Sequence, residues 1–182
     1  LKMKLGGDGA DLARIAAVAD AVPAARLIVD ANEALDIGGL EELVARFADG
    51  PIALIEQPLP ASEDGPLIGF DSVIPLCADE SAHDRESLER IVGRYQIINI
   101  KLDKTGGLTE ALALKTDAER AGLKIMVGCM VSTSLAMAPA AVLAQGAQFV
   151  DLDGPLLLAE DRDPPIRYDG ATMHPPDPQL WG

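Results

Sequence analysis

Three acidic residues, Asp30, Glu56 and Asp79, each follow a short apolar run. Each carboxylate is therefore expected at the edge of a hydrophobic core, where three converging negative charges are costly unless something neutralises them. A hard divalent cation with oxygen ligands does so directly, and Mg²⁺ suits a few carboxylates completed by water and substrate oxygens. The alternative is that the acids cap the following helices or pair with arginines. Their matched positions after successive apolar runs favour a Mg²⁺ site.

Lysines stand on both sides of these acids in the sequence. Lys2 and Lys4 alternate along the first apolar run, so both point to the same face of a strand. Lys101 follows the run 97–100 and is the stronger candidate for proton transfer, with Lys2 and Lys104 weaker. Neighbouring cations lower the pKa of a lysine ammonium, and this makes a lysine a usable base near neutral pH. The alternative is a solvated lysine at a strand end.

Two aspartates near the end of the chain form a further pair. Asp151 and Asp153 are two residues apart, so on a strand their side chains point the same way. No lysine lies near them in the sequence, and they could bind a second cation or a substrate ammonium group. The alternative is that they form the turn before Gly154-Pro155.

The elements that position these residues follow from the apolar pattern. Short runs rich in β-branched residues predict strands at 3–5, 27–29, 52–55, 74–77, 97–100, 124–127 and 149–152. Amphipathic spacing predicts helices at 11–21, 39–48, 108–121 and 133–144. Alternating strands and helices imply parallel strands joined by right-handed crossovers.

The spacing of the strands predicts a (β/α) barrel. Polar or glycine residues end successive strands about every 25 residues, from Lys4 to Asp153. An open doubly wound sheet could share this period, but it would not put a functional group at the end of nearly every strand. A barrel does so because all its strand carboxyl ends face one mouth. Seven strands are predicted where a complete barrel has eight.

The overall composition excludes several partners. The net charge of -14 argues against nucleic acid and anionic membrane surfaces, and no apolar run approaches the length of a membrane span. Cys77 and Cys129 are expected to be buried, reduced thiols of a cytoplasmic protein. His83 and His174 lack metal-ligand spacing, so carboxylates and lysines must carry any chemistry.

Five motifs resemble those of a known family in order and spacing along nearly the whole chain. They are Lys2-Met3-Lys4, Val29-Asp30-Ala31-Asn32, Glu56-Gln57-Pro58, Ala78-Asp79-Glu80-Ser81, and Asn99-Ile100-Lys101 followed by Lys104 and Gly106-Gly107. Together they resemble the enolase superfamily in its muconate-lactonizing subgroup. The combination is specific, whereas Glu-Gln-Pro alone would mean little.

The resemblance implies a role for each of these residues. Asp30, Glu56 and Asp79 would be the Mg²⁺ ligands. Lys4 and Lys101 would be the acid/base pair on opposite faces of the α-carbon of the substrate, and an enolate would be the intermediate. Lys2 would help to neutralise that enolate or bind a distal carboxylate.

Within the subgroup, the chain resembles the dipeptide epimerases of the L-Ala-D/L-Glu type. In that branch, aspartates like Asp151 and Asp153 hold the ammonium group of a dipeptide substrate, and Gly128-Cys129-Met130 also fits the branch. The alternatives are an o-succinylbenzoate synthase, a cycloisomerase, or an inactive barrel fragment. A substrate of the first two would leave Asp151 and Asp153 without an ammonium group to bind.

The chain also departs from the family pattern. The family's N-terminal capping domain and first barrel strand have no counterpart, so we expect a partner segment of the same protein, and a homo-oligomer is possible. A barrel domain at 1–160 and a C-terminal tail at 161–182, packing back toward the capping region, are predicted. Ser132 and Thr133 stand near a position where many relatives carry an acid, and they could bind the substrate carboxylate.

Overall fold

Parallel strands alternate with helices along the chain, as the apolar period predicts. The computed structural model describes all residues, Leu1–Gly182. They form two compact units, of which the first comprises Leu1–Ala82 and Ser87–Ile98, and the second comprises His83–Glu86 and Asn99–Gly182. Strand β5 (Ile97–Ile100) gives its first two residues to the first unit and its last two to the second.

The first unit is a parallel sheet with its connecting helices. Its elements are β1 (Lys2–Lys4), α1 (Asp11–Ala21), β2 (Leu27–Asp30), α2 (Ile37–Arg46), β3 (Ile52–Glu56), β4 (Leu76–Ala78), α3 (Leu88–Ile91) and the start of β5. Each strand pairs in parallel with the next one in the sequence. All five residues of β3 are buried, which is the pattern of a strand covered on both faces.

The second unit continues the same alternation. Its elements are the end of β5, α4 (Leu102–Thr105), α5 (Leu108–Arg120), β6 (Lys124–Val127), α6 (Ser134–Leu143), β7 (Phe149–Val150) and a hairpin of β8 (Tyr168–Asp169) and β9 (Thr172–Met173). Strands β6 and β7 pair in parallel, whereas β8 and β9 are antiparallel.

Several element boundaries differ from the predicted ones, by two residues or more in β4, α2 and β7. Strand β4 begins at Leu76 because Pro75 accepts a hydrogen bond from Ile55 but has no N–H to donate. Helix α2 begins at Ile37 because the Asp36 side chain accepts the Gly39 N–H and caps it. Strand β7 ends at Val150, before the turn Gly154–Leu157.

The predicted tail at 161–182 lies within the second unit, where it contacts α6. The division at residue 160 and the packing of the tail toward a capping region stay predictions. None of the helices combines the length and hydrophobicity that crossing a lipid bilayer requires.

Candidate functional site

The first unit brings both N-terminal lysines onto the predicted acids. Lys2 Nζ lies 3.2 Å from Asp30 Oδ2 and 2.9 Å from Glu56 Oε2. Lys4 Nζ lies 3.1 Å from Asp30 Oδ2 and donates to Asn32 Oδ1 at 2.5 Å. In the sheet, Lys4 is in register with Asp30, and Asp30 with Glu56. The alternation along β1 thus puts both ammonium groups on the side where the acids end their strands.

Burial concentrates the negative charge of these acids. The exposed fractions of Asp30, Glu56 and Asp79 are 1%, 0% and 3%. Burial raises the pKa of Glu56 to about 7, and although the Lys2 ammonium opposes this, the charges of Asp30 and Asp79 add to it. Asp30 and Asp79 therefore both repel the charged form of Glu56, and a further cation beside them would relieve this repulsion.

The donor set fits a hard divalent cation, since three buried carboxylates lie at or just beyond the ends of adjacent strands. As the side chains stand, no group of three or more His, Cys, Asp or Glu residues is arranged as a metal site. The Asp30 and Glu56 carboxylates both turn an oxygen toward the Lys2 ammonium. The Mg²⁺ assignment of Asp30, Glu56 and Asp79 therefore stays a prediction.

The second unit contains Lys101 at the end of β5. Its exposed fraction is 9%, so it is not the solvated lysine of the alternative interpretation. Lys104 Nζ donates to the Asn99 carbonyl at 3.0 Å. The Asn99 amide packs against Gly128, where a Cβ would lie only 2.7 Å from Asn99 Oδ1. Any larger residue at the end of β6 would have to displace the Asn99 amide.

The predicted ammonium-binding aspartates and Lys101 all influence the thiol of Cys129. Burial raises the pKa of the Cys129 thiol; the Gly154 N–H lowers it, the charges of Asp151 and Asp153 raise it, and Lys101 lowers it. The structure thus brings these three charged residues around one half-buried thiol within the second unit. The expectation that Cys77 is buried is confirmed, whereas Cys129 is only half-buried because it follows the strand end.

Tight packing holds the backbone around Asp153. A Cβ on Gly154 would lie 2.8 Å from the Met130 carbonyl oxygen and 3.2 Å from the Ser132 nitrogen, so only glycine allows this approach. The Tyr168 hydroxyl, from the tail, donates to the Leu152 carbonyl at 2.7 Å, between the two aspartates. Burial raises the pKa of Tyr168 to about 12.

Ser132 and Thr133 precede helix α6, and both are half-buried. Thr133 stands at the N-cap position, but its side chain makes no capping hydrogen bond. The capping acceptor is Asp161 of the tail, whose Oδ1 accepts the Ser134 N–H at 2.8 Å and whose Oδ2 accepts from the Ser134 hydroxyl. Slight burial would raise the pKa of Asp161, but these hydrogen bonds hold it below its usual range. The assignment of Ser132 and Thr133 to a substrate carboxylate stays a prediction.

Four residues that contact the site residues or their neighbours are not among the predicted functional residues. Asn32 and Gln57 belong to two of the five motifs, so the motifs are a sequence signal that points to them. Tyr168 and Asp161 lie in the tail, where no local pattern marks them. Their partners are 16 and 27 residues away in the sequence.

The fold and the strand-end residues together define a domain of the (β/α)-barrel class with acids and lysines at the carboxyl ends of its strands. The chain belongs to the family described as "Enolase C-terminal domain-like", whose model matches residues 1–179. This membership confirms the resemblance seen in the sequence, and it confirms the enolase-type barrel fold.

Two curated relatives illustrate the similarity. The chain is 53% identical to an N-acetyl-D-glutamate racemase from Pseudoalteromonas sp. over 94% of its own length and 54% of the relative's length. It is 48% identical to the L-Ala-D/L-Glu epimerase of Escherichia coli K12 over 88% of this chain and 50% of that protein. The chain thus spans about half the length of these relatives.

A solved structure from Agrobacterium tumefaciens matches with a TM-score of 0.96 at 54% identity, covering 100% of this chain and 56% of that one. That protein is described as an enolase family member with homology to dipeptide epimerases, with bound sodium and L-Ala-L-Glu. A dipeptide epimerase from Methylococcus capsulatus, complexed with Mg and L-Arg-D-Lys, matches with a TM-score of 0.84 at 33% identity, covering 89% of this chain and 49% of that one.

Proposed function

We propose that this chain forms the catalytic part of a Mg²⁺-dependent dipeptide epimerase of the L-Ala-D/L-Glu type. The observation that carries the proposal is the cluster of charged side chains in the first unit. Lys2 pairs with both Asp30 and Glu56, and Lys4 pairs with Asp30, at the carboxyl ends of adjacent strands. Such a cluster suits the removal of a weakly acidic proton next to a carboxylate, because it offers both a base and charge stabilisation.

The cation would be held by Asp30, Glu56 and Asp79. When bound, it would stabilise the negative charge that develops on the substrate carboxylate as the α-proton leaves. The burial of all three acids supports this assignment, since burial and the charges of Asp30 and Asp79 raise the pKa of Glu56, and a bound cation would oppose both effects. The Lys2 ammonium, already directed at two of the acids, would neutralise part of the enolate charge or bind a distal carboxylate.

Inversion at a carbon requires that the proton return from the face opposite to the one it left. We propose Lys4 and Lys101 as the two groups. One lysine, as the neutral amine, takes the α-proton, and the C–H bonding electrons pass into the enolate. The other lysine, as the ammonium, donates a proton to the same carbon, so the pair exchanges protonation states in each turnover. The low exposure of Lys101 supports its assignment, because burial favours the neutral amine that a base requires.

The substrate ammonium would bind Asp151 and Asp153. Both aspartates raise the pKa of the Cys129 thiol, so the negative charge of each acts on the same place in the second unit, which supports their assignment to one cation. Solved relatives bound to L-Ala-L-Glu and to L-Arg-D-Lys support a dipeptide as substrate. Ser132 and Thr133 are the candidates for the substrate carboxylate.

A second candidate is racemisation of an N-acylated amino acid. It is favoured by the 53% identity to an N-acetyl-D-glutamate racemase. The proton-transfer chemistry would be the same, but an N-acyl substrate has no ammonium group for Asp151 and Asp153. The choice between the two candidates therefore depends on those aspartates.

The test uses the purified protein with Mg²⁺ in D₂O. L-Ala-L-Glu and N-acetyl-D-glutamate are supplied separately, and NMR follows loss of the α-proton while chiral chromatography follows inversion. We expect exchange and inversion at the glutamate carbon of the dipeptide, and about 100-fold or greater loss of inversion in the Lys4→Ala and Lys101→Ala variants. Turnover of N-acetyl-D-glutamate alone would establish the second candidate. Inversion that survives Lys101→Ala would exclude that lysine as one of the two required groups.

A further inference from the structure

Gln57 directly follows Glu56 and has no part in the chemistry proposed above. Its side chain is completely buried, with an exposed fraction of 0%. Its backbone φ is +36°, in the left-handed region that side-chain-bearing residues rarely adopt. Such a conformation persists only where the surroundings hold it firmly, and residues of this kind cluster at functional sites.

Gln57 connects the three chain segments that carry the predicted cation ligands. Its backbone N–H donates to the Cys77 carbonyl at 2.8 Å, and its backbone carbonyl accepts from the Glu33 N–H at 2.9 Å. Its side-chain Oε1 accepts the N–H groups of Asp79 at 2.9 Å and Ser81 at 3.1 Å. Gln57 is thus bonded to the segment after Asp30, adjoins Glu56, and is bonded to Asp79 itself.

The other end of the side chain is held by hydroxyl groups. Gln57 Nε2 lies 2.9 Å from the Leu59 carbonyl oxygen, 2.9 Å from Ser81 Oγ and 3.0 Å from the Tyr95 hydroxyl oxygen, and its two hydrogens are shared among these three acceptors. Every polar atom of this buried amide therefore has a partner, which is the condition for a buried polar group to rigidify its surroundings.

A buried carboxylate fixes the direction of these hydrogen bonds. Asp64, with an exposed fraction of 3%, accepts from the Ser81 hydroxyl at 2.7 Å and from the Tyr95 hydroxyl at 3.0 Å. Both hydroxyl hydrogens are thereby used, so their oxygens can only accept from Gln57. The amide must then turn its NH₂ group toward the hydroxyls and its Oε1 toward the Asp79 backbone. Asp64 is itself paired with Arg94.

We propose that Gln57 is a positioning residue that sets the spacing of Asp30, Glu56 and Asp79 for the divalent cation. This inference rests on the proposed function, because it takes those three acids to be the ligands. Gln57 does not touch the cation; it acts through the backbone of the residues that do. Groups that orient metal ligands in this way typically change metal affinity about 10- to 100-fold when they are removed.

The test is isothermal titration of Mg²⁺ into the metal-free protein, comparing the wild type with Gln57→Met. The methionine keeps the length of the side chain and loses all of its hydrogen bonds. We expect the dissociation constant for Mg²⁺ to rise about 10-fold or more. The matched control is Gln96→Met, which removes a glutamine side chain that accepts the Leu76 N–H at 2.9 Å, at the opposite end of β4. The control should bind Mg²⁺ as the wild type does. Titrations are run well below the melting temperature of each metal-free variant.

Each other outcome counts against the inference. Wild-type affinity in Gln57→Met, or an equal loss in Gln96→Met, overturns it and leaves the proposed function standing. A wild-type protein that does not bind Mg²⁺ overturns both. If Gln57→Met does not fold, Tyr95→Phe replaces it, because it removes both an acceptor of Nε2 and one of the two hydroxyl donors to Asp64 that fix the direction of the amide. Its dissociation constant should rise about threefold, the effect of one hydrogen bond, and an unchanged value overturns the inference.

Discussion

Replacing Glu56 with glutamine should stabilise the metal-free protein at neutral and alkaline pH. The Glu56 side chain has an exposed fraction of 0% and acquires its charge next to two other acids. Glutamine has nearly the same shape and no charge, so it can occupy the same position without the cost of burying a carboxylate. A residue proposed to bind a cation would thus destabilise the fold whenever that cation is removed.

The magnitude follows from the raised pKa. The folded protein holds the Glu56 proton up to a pKa of about 7, compared with 4.5 for the ordinary side chain. The folded state binds this proton more tightly than the unfolded state does. The stabilisation that the protonated Glu56 gives to the folded state is therefore fully present below pH 4.5 and is lost as the pH rises through 7. At about 1.4 kcal/mol for each unit of pKa, the loss is about 3 kcal/mol at pH 8.

Urea unfolding in the presence of EDTA, followed by circular dichroism at pH 4.5 and pH 8, measures this effect. The free energy of unfolding of Glu56→Gln minus that of the wild type should increase by about 3 kcal/mol between the two values. Glu110→Gln is the control, because Arg85 lowers the pKa of the Glu110 carboxyl and the corresponding difference should not increase with pH. A difference for Glu56→Gln that is independent of pH would refute the argument.

Three further outcomes test the assigned roles. Saturating Mg²⁺ at pH 8 should raise the melting temperature of the wild type, since a ligand that binds the folded state stabilises it. The melting temperature of Glu56→Gln should rise much less, and equal rises in the two proteins would show that Glu56 is not a ligand. Asp153→Asn should raise KM for L-Ala-L-Glu about 10-fold or more, because one charge facing the substrate ammonium is lost, while the Mg²⁺ affinity stays unchanged. An unchanged KM would show that the aspartate does not face the substrate. Tyr168→Phe removes the hydrogen bond to the Leu152 carbonyl and should raise the KM for L-Ala-L-Glu about threefold with kcat retained. A fall in kcat alone would show that Tyr168 does not act through the binding of the substrate.

The order and type of the main elements are predictable from the amino-acid sequence alone. Predicted and observed limits agree for α1, β5 and β6, because each is a continuous periodic or β-branched segment bounded by clear turn residues. The parallel arrangement followed from the strand–helix alternation. Placing acids and lysines at strand ends required only the strand limits and the alternation of side chains, so the sequence also predicted the composition of the candidate site.

The partner of each of these side chains depends on how the elements pack together. The bridging of Asp30 and Glu56 by Lys2 depends on the register of neighbouring strands, which no local pattern records. The network around Gln57 reaches residues up to 38 positions away, and its direction is fixed by Asp64, a residue that sequence patterns do not mark. The contacts of the tail residues Tyr168 and Asp161 are also with residues distant in the sequence, so no local pattern predicts them. Local periodicity specifies the elements, whereas the contacts between distant side chains appear only when those elements pack.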